Sequence, residues 1–487
     1  MSPELHLPSQ DHVNAAVWAA GESFRGSLDL QEYKKHLLSF FFFKYITDAK
    51  GAGLLSEITI PEKCGYDYVK AHKHNADLGS LINKAMERTA AENERLRDIF
   101  SNLDFSSEKL GALKERNRRL RKLIADFSKK QLDFNTFLTH DRQIITRAWT
   151  YLLERFATNA GKKGGEYYTP EEVNELLARL MMPKPGDTIC DPAFGSASLL
   201  AATAMQIPHA KNETPDTLVF GQELERDNFD IGRMNLIIHG IPSRTELGDV
   251  IRKPALVAAD ALMKFDIIVS NPPFSYEHFN MKEAAKDHFH RFNRGIPPST
   301  KGNYAFILHI LETLTPEKGR AGVVVPHGVL FRLGTEKNIR ENIVKENLLE
   351  AVIGLPANLF FGTGISAAIL IFNTTKESKD ILFIDAGKES ENGKKQNRMR
   401  QQHIDKIVDT YDGFLAGGGS MDKYSRRASV YEIEKNDFNL SVSRYVDTAE
   451  KKKKADIYSI QRRMEELEKE MSRAKSEMNR YLKELEF

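Results

Sequence analysis

The tetrad Asn271-Pro272-Pro273-Phe274 follows directly on the apolar run 266–270, and its residue types suit one difficult reaction. The lone pair of adenine's exocyclic amine is delocalised into the ring, so that nitrogen is a poor nucleophile. Two acceptors aimed at its N–H groups would localise the pair and turn it toward an incoming methyl group. The Asn271 side-chain oxygen and the Pro272 carbonyl are close enough in sequence to converge in this way. Proline's fixed φ holds the carbonyl rigidly, so little reorganisation is needed during reaction. Phe274 would stack on a base flipped out of the duplex. No strong general base is required, because the nitrogen can shed its proton after transfer. Two prolines that merely stop a strand are the ordinary alternative. Composition alone yields such a tetrad in roughly one chain of this length in a hundred.

A second turn, Asp191-Pro192-Ala193-Phe194-Gly195-Ser196-Ala197, also stands at the end of an apolar run. Small residues let backbone N–H groups approach a ligand closely, and an acid answers a cation. S-adenosylmethionine carries both an ammonium and a sulfonium, whereas the absence of G-x-G-x-x-G argues against a dinucleotide. Glu223, after the run 218–222, is placed for ribose hydroxyls. Asp260 either accepts from the cofactor's adenine amine or is a solvated loop carboxylate.

The elements that must hold these turns alternate in type. Apolar runs at 188–191, 218–222, 266–270, 321–326, 349–355, 367–372 and 381–385 read as strands. Helical stretches at 197–205, 227–239, 303–314 and 337–347 lie between them. This alternation predicts a parallel, doubly wound α/β sheet, whose ligands bind beyond the carboxyl ends of the strands. Just upstream, Thr169 as N-cap, Pro170 at the first helical position and Glu172 as the closing acid predict a capped helix. Residues 1–155 read as helical, including 32–46 and 79–100. The basic stretch 109–130 is either a solvated helix face or a contact for DNA backbone or a partner. After Lys451–Lys454, apolar residues at Ile457, Ile460, Met464, Leu467, Met471, Ala474, Met478, Tyr481 and Leu485 alternate by three and four, a coiled-coil seam. Such a stripe is expected to find another helix, on another chain or another domain.

The bulk numbers set the setting. The 487 residues suggest about three units at roughly 150 residues each. Hydrophobic residues at 41% and charged residues at 28% describe a folded globular chain. Only Cys64 and Cys190 occur, which excludes a disulfide framework and a cysteine zinc site and fits a reducing cytosol. No metal is expected. The longest apolar stretch, 37–43, is far below the ~18 residues of a membrane span, and no signal peptide opens the chain, so a cytoplasmic protein is expected. A net charge of +2 is weak for a protein that grips DNA alone, which points to a partner.

Together these motifs resemble the modification subunits of type I restriction-modification systems, which are N6-adenine DNA methyltransferases. Tyr167-Tyr168-Thr169-Pro170, flanked by Glu166 and Glu171, resembles the family's aromatic-Thr-Pro cofactor motif. Asp191, Gly195, Ser196 and Ala197 resemble its Asp-Pro-x-x-Gly-Ser/Thr turn, Gly221-Gln222-Glu223 its ribose-binding acid, and Asn271–Phe274 its catalytic tetrad. The stretches 355–361, 403–408 and 439–445 are similar to family segments of structural character. The likeness runs from near Trp18 to about Asp447, with the motifs in the family's order. Two departures stand out. Phe194 occupies a position where many relatives have a smaller residue, and Ala197 one where many have glycine.

The resemblance implies a Rossmann-like S-adenosylmethionine-dependent methyltransferase sheet (156–448), preceded by a helical domain (1–155) and followed by a coiled-coil helix (449–487). It implies double-stranded DNA as substrate and a separate specificity subunit bound through the terminal helix. ATP-driven translocation would belong to a further restriction subunit, since no G-x-x-x-x-G-K-[ST] loop is found. The segment 275–302 is expected to be a mobile flap over the flipped base. Methylation of RNA bases or of a protein glutamine amide is the rival activity, and a non-catalytic interaction subunit the rival class.

Overall fold

The computed structural model describes residues 7–24, 28–160, 168–209, 217–277, 279–361, 364–394, 396–448 and 457–484. It divides into two units, Met1–Val446 and Asp447–Phe487.

The first unit begins with helices, the longest of which is Leu30–Gly51, capped by Asp29 through the N–H groups of Gln31 and Glu32. Its run Phe40–Phe43 is buried on all sides. Phe41 meets Phe134 at 4.9 Å and Trp149 at 5.6 Å between centroids. An apolar core this rich in rings fixes the region by packing rather than by helix propensity. The expected helix 79–100 ends earlier, as Leu78–Ala91. In and just beyond the basic helix Leu113–Phe127 several charges are matched locally: Arg118 and Arg119 bind Glu115, and Lys122 and Lys129 bind Asp126.

The sheet contains β1 (Ile189–Asp191), β2 (Val219–Glu223), β3 (Ser243–Leu247), β6 (Ile267–Ser270), β7 (Arg320–Pro326), β8 (Leu349–Gly354), β9 (Ala367–Asn373), β10 (Ile381–Asp385) and β11 (Ser425–Ala428), with β4 (Val257–Ala258) and β5 (Ala261–Leu262) forming a separate hairpin. The order is β11-β10-β8-β9-β7-β6-β1-β2-β3. All seven expected strands form, flanked by the four expected helices. The wholly parallel arrangement does not hold. β9 runs antiparallel to both β7 and β8, and β11 antiparallel to β10. The connection from β8 to β9 has no helix among its described residues, and parallel returns usually run through one.

Each strand sends alternate residues to opposite cores. Cys190, Ile268, Ala321 and Val323 face one layer; Ile189, Ile267, Val269 and Val324 face the other. The chain runs from β1 outward through β2 and β3, then returns to β6 on the other side of β1. The crevice beyond β1 and β6 is therefore a topological switch point, where such sheets bind ligands.

The helical region is docked on the helix Arg226–Ile238. Arg226 donates to the Asp98 carbonyl, Arg233 to the carbonyls of Arg95 and Arg97, and the Tyr45 hydroxyl to that of Ile238.

The described residues of the second unit hold one helix, Ile457–Glu484. Met464, Leu467, Met471, Ala474, Met478 and Tyr481 of the expected seam are exposed. The side chains of Ile457 and Ile460, and all of Leu485, lie outside the described residues. No described helix is long and apolar enough to cross a membrane.

Candidate active site

β1 and β6 are hydrogen-bonded neighbours in parallel, so their carboxyl ends deliver Asp191 and Asn271 to one place. The cleft there is lined by Tyr168, Thr169, Asp191, Gly195, Ser196 and Asn271, among others, and encloses about 300 Å³ including its mouth.

Asn271 is held from one side only. Its Nδ2 donates to the Thr169 hydroxyl at 2.9 Å. Its Oδ1 is buried and has no hydrogen-bond partner. An unmet buried acceptor is costly, and this one belongs to a residue that lines the cleft, where an arriving donor could meet it. The Pro272 carbonyl likewise accepts nothing among the described residues. Behind the tetrad, Asn303 donates to the carbonyls of Phe274 at 3.0 Å and Pro273 at 3.4 Å. The half-buried Phe274 ring meets Phe360 edge-on at 5.4 Å, leaving it braced for stacking.

The Thr169 finding corrects the expected capping box. The helix begins at Glu171 with Pro170 in the cap position and no side-chain cap bond. Thr169 is engaged by Asn271, and Glu172 is drawn to Arg398, which also binds Glu154 of the helical region. Tyr168 is buried against Phe361, its hydroxyl unpartnered. Glu166 and Tyr167 lie outside the described residues.

Asp191 is fully buried. Its Oδ1 accepts from the Ala193 N–H at 2.9 Å and the Ser270 hydroxyl at 2.8 Å. Burial nonetheless pushes its carboxyl up to about 7, against the pull of those bonds. In the turn that follows, Gly195 and Ala197 take left-handed backbone, φ 52 and 57. Asn235, on the helix Arg226–Ile238, donates to the Ser196 carbonyl at 2.8 Å. The Phe194 ring lies over Gly221 and Gly232, where an added Cβ would come within 2.5 Å of it. The large residue at 194 is thus matched by two residues without side chains.

Glu223 does not line the cleft. Its carboxylate accepts from the N–H groups of Gly195 and Glu225, both at 2.8 Å, so it braces the turn. Burial raises its pKa, opposed by these bonds. Asp260 is not brought to the site either. It stands at the tip of the β4–β5 hairpin, its side chain 90% exposed, beside His288 at 3.5 Å. A two-residue turn at positive φ carries it into solvent; the sequence of the loop gave no sign of the hairpin.

The segment 275–302 is docked, not free-standing, among its described residues. The buried Arg291 donates to Asp287 and to the carbonyls of Val250 and Ile251. It also contacts His309 Nδ1 at 3.3 Å, and burial, with this neighbouring charge, holds that imidazole neutral at about 3. A buried guanidinium must satisfy its donors, and that requirement pins the segment.

Sequence reading missed Ser270, Asn235 and Asn303 as supports. Ser270 alone carried a signal, since it directly precedes the tetrad on the strand beside Asp191.

The chain matches the N-6 DNA Methylase family over residues 140–454 and the HsdM N-terminal domain over 13–127. It is 27% identical to the type I restriction enzyme MpnII methylase subunit of Mycoplasma pneumoniae, over 93% of both chains. It is 28% identical to the MjaVII methylase subunit of Methanocaldococcus jannaschii, over 98% of this chain and 84% of that one. The crystal structure of a type I restriction-modification methyltransferase subunit from Streptococcus thermophilus superimposes with a TM-score of 0.82 at 28% identity, covering 91% of this chain and 100% of that one. The chain belongs to the N-6 DNA methylase family and is an adenine-specific DNA methyltransferase of the type I modification-subunit kind.

Proposed function

We propose that the cleft beyond β1 and β6 binds S-adenosylmethionine against the turn Asp191–Ala197, and that Asn271 and Pro272 receive the adenine amine beside it. The family implies this cofactor in general terms, and the residues present fit it. The cleft offers a buried acid for a cation, a tight turn of small residues, and an acceptor with no partner inside the protein. When bound, the cofactor supplies an electrophilic methyl group.

The chain's own part is to prepare the nitrogen. With its Nδ2 fixed by Thr169, Asn271 presents Oδ1 to one N–H of the amine, and the Pro272 carbonyl takes the other. Asn303 holds the peptide of the tetrad from behind, so both acceptors are in place before the base arrives. Phe274, backed by Phe360, stacks on the base. Asp191, kept close to Ser270, meets the positive end of the cofactor, while Gly195, Ser196 and Ala197 give it close backbone. Glu223 and Thr169 act through the turn and through Asn271, and Glu171 lies at the start of the supporting helix. The single observation that carries this reading is the buried, unpartnered Oδ1 of Asn271.

The reading extends to assembly. Residues 1–155 serve as a helical domain, 156–448 as the catalytic domain, and 449–487 as the arm that binds a DNA-specificity subunit through its exposed apolar stripe. A separate restriction subunit would supply translocation. The test is transfer of labelled methyl from the cofactor to duplex DNA by the chain copurified with its partner. Asn271→Ala is expected to lower turnover by about 10²–10³ while cofactor binding, measured by calorimetry, is kept. Equal loss of both would refute the assignment.

A further inference from the structure

We propose that the loop Phe331–Leu333 is an apolar wedge that enters duplex DNA next to the extruded adenine. The inference rests on the tetrad's proposed role as receiver of that base.

The loop follows β7 and a short helical turn, His327–Leu330, and it ends at Gly334 before the helix Thr335–Lys345. Phe331 is 46% exposed and Leu333 74%. Two adjacent large apolar side chains held in water need a reason, and here the backbone cannot collapse to hide them. The buried Arg340 donates to the carbonyls of Val329 at 3.1 Å, Arg332 at 2.8 Å and Phe438 at 2.9 Å. The Tyr304 hydroxyl takes the Val329 carbonyl as well, at 2.9 Å. The loop is thus a rigid mount with its apolar groups outward.

Its middle residue points the other way, toward the tetrad. Arg332 donates to Asn303 Oδ1 at 2.9 Å and pairs with the buried Glu336. Asn303 is the residue that holds the Phe274 and Pro273 carbonyls. Two side chains, Arg332 and Asn303, therefore link the exposed loop to the base-receiving peptide, which places the loop on the same side of the site that a duplex delivering adenine to Asn271 must approach.

The surroundings favour nucleic acid over protein. Lys435 and Arg444 line the hollow beside both apolar residues, together with Asp437, whose charge is met by Lys337. Arg444 is exposed, with no side-chain hydrogen bond or ion pair among the described residues. The two exposed cations flanking the apolar tip, Arg444 and the Lys435 that rests on the Tyr431 ring at 4.4 Å, match phosphates on either side of an opened base step.

The test compares wild type with Phe331→Ser/Leu333→Ser, and thermal melting of both proteins verifies that the fold is kept. Each is copurified with the partner subunit. The target adenine is first located in plasmid DNA methylated by wild type. Oligonucleotides are then made with that adenine either paired or opposite an abasic site. The variant is expected to lose about tenfold or more in kcat/KM on paired DNA and to recover on the abasic duplex, where unpairing has already been done. Undiminished activity on paired DNA overturns the proposal, as does equal loss on both duplexes. Loss of copurification would assign the loop to the partner subunit instead, which also overturns it. Failure of wild type to methylate any DNA would sink the functional reading itself, a separable outcome.

Discussion

The turn leaving β1 and the loop leaving β6 start side by side, yet their polar groups are in opposite states. On the β1 side the carboxylates are occupied. Asp191 Oδ1 accepts twice, and both oxygens of Glu223 take backbone N–H groups. On the β6 side the chain leaves Asn271 Oδ1 buried and unmet, and the Pro272 carbonyl free of partners among the described residues. One half is finished by the protein, and the other is finished only by a ligand. The difference suits the chemistry. A cofactor used every cycle benefits from a turn whose shape is already fixed, whereas the base must lose water and gain two hydrogen bonds at the moment it reacts.

The sharpest way to break this comparison is Thr169→Val. If Thr169 belongs with the receiving half, removal of its hydroxyl frees the Asn271 amide to turn. Turnover should then fall about five- to 150-fold, the equivalent of ~1–3 kcal/mol for an unsatisfied buried group, while cofactor affinity stays within about twofold. A large loss of cofactor affinity at unchanged turnover would move Thr169 to the other half. Phe274→Ala probes the same side. It should weaken capture of the base by roughly 1–3 kcal/mol, read as DNA affinity in a fluorescence titration, with the cofactor unaffected.

The cofactor half is tested by shape. Gly232→Ala places a Cβ 2.5 Å from the Phe194 ring, and overpacking of this kind costs about 1–3 kcal/mol of stability. In a Phe194→Ala background the same substitution should cost less, leaving only the 3.0 Å approach to the Gly195 carbonyl, a coupling visible in chemical denaturation of the four proteins of the cycle. If the two effects simply add, Phe194 and Gly232 are not the matched pair described above.

Much of this was legible in the residues. The seven strands buried in the sheet announce themselves as apolar runs. The two strands missed in the main sheet, β3 (Ser-Arg-Thr-Glu-Leu) and β11 (Ser-Arg-Arg-Ala), are its edges. Edge strands are polar because they must resist pairing with other chains, so a search for apolar runs passes over them. The tetrad and the Asp191 turn were visible because their chemistry is local. Thr169 was misread because Thr-Pro-Glu-Glu satisfies a local capping rule, while its actual partner is 102 residues away. The fit of Phe194 over Gly221 and Gly232 was invisible for the same reason: a void has no sequence signature until the strands and helix around it are placed.

A charge test separates the halves next. Asp191 sits at about 7, raised first by burial. Below that pH the folded, ligand-free protein carries it neutral; above, it carries the charge that a cationic cofactor needs. Binding should therefore weaken as pH falls below about 7, by at most about tenfold per pH unit. In Asp191→Asn the profile should lose that segment. An unchanged profile would mean that Asp191 only shapes the turn, and the β1 side would then recognise its ligand by backbone alone.

The smallest expected effect comes from Ala197, which holds φ 57 at the start of the helix Ser198–Ala204. A Cβ in left-handed backbone costs roughly 1–2 kcal/mol, and glycine relieves it while adding back ~0.5–1 kcal/mol of unfolded-state entropy. Ala197→Gly should thus stabilise the protein by up to about 1 kcal/mol, a shift of a degree or two in Tm for a chain of this size. Its value lies in the second reading, cofactor affinity. If affinity is unchanged, the alanine turn already has the binding conformation and the strain is borne without consequence for the ligand. If affinity rises, the turn is being bent into place at the cofactor's expense, and the β1 half is less finished than its hydrogen bonds suggest.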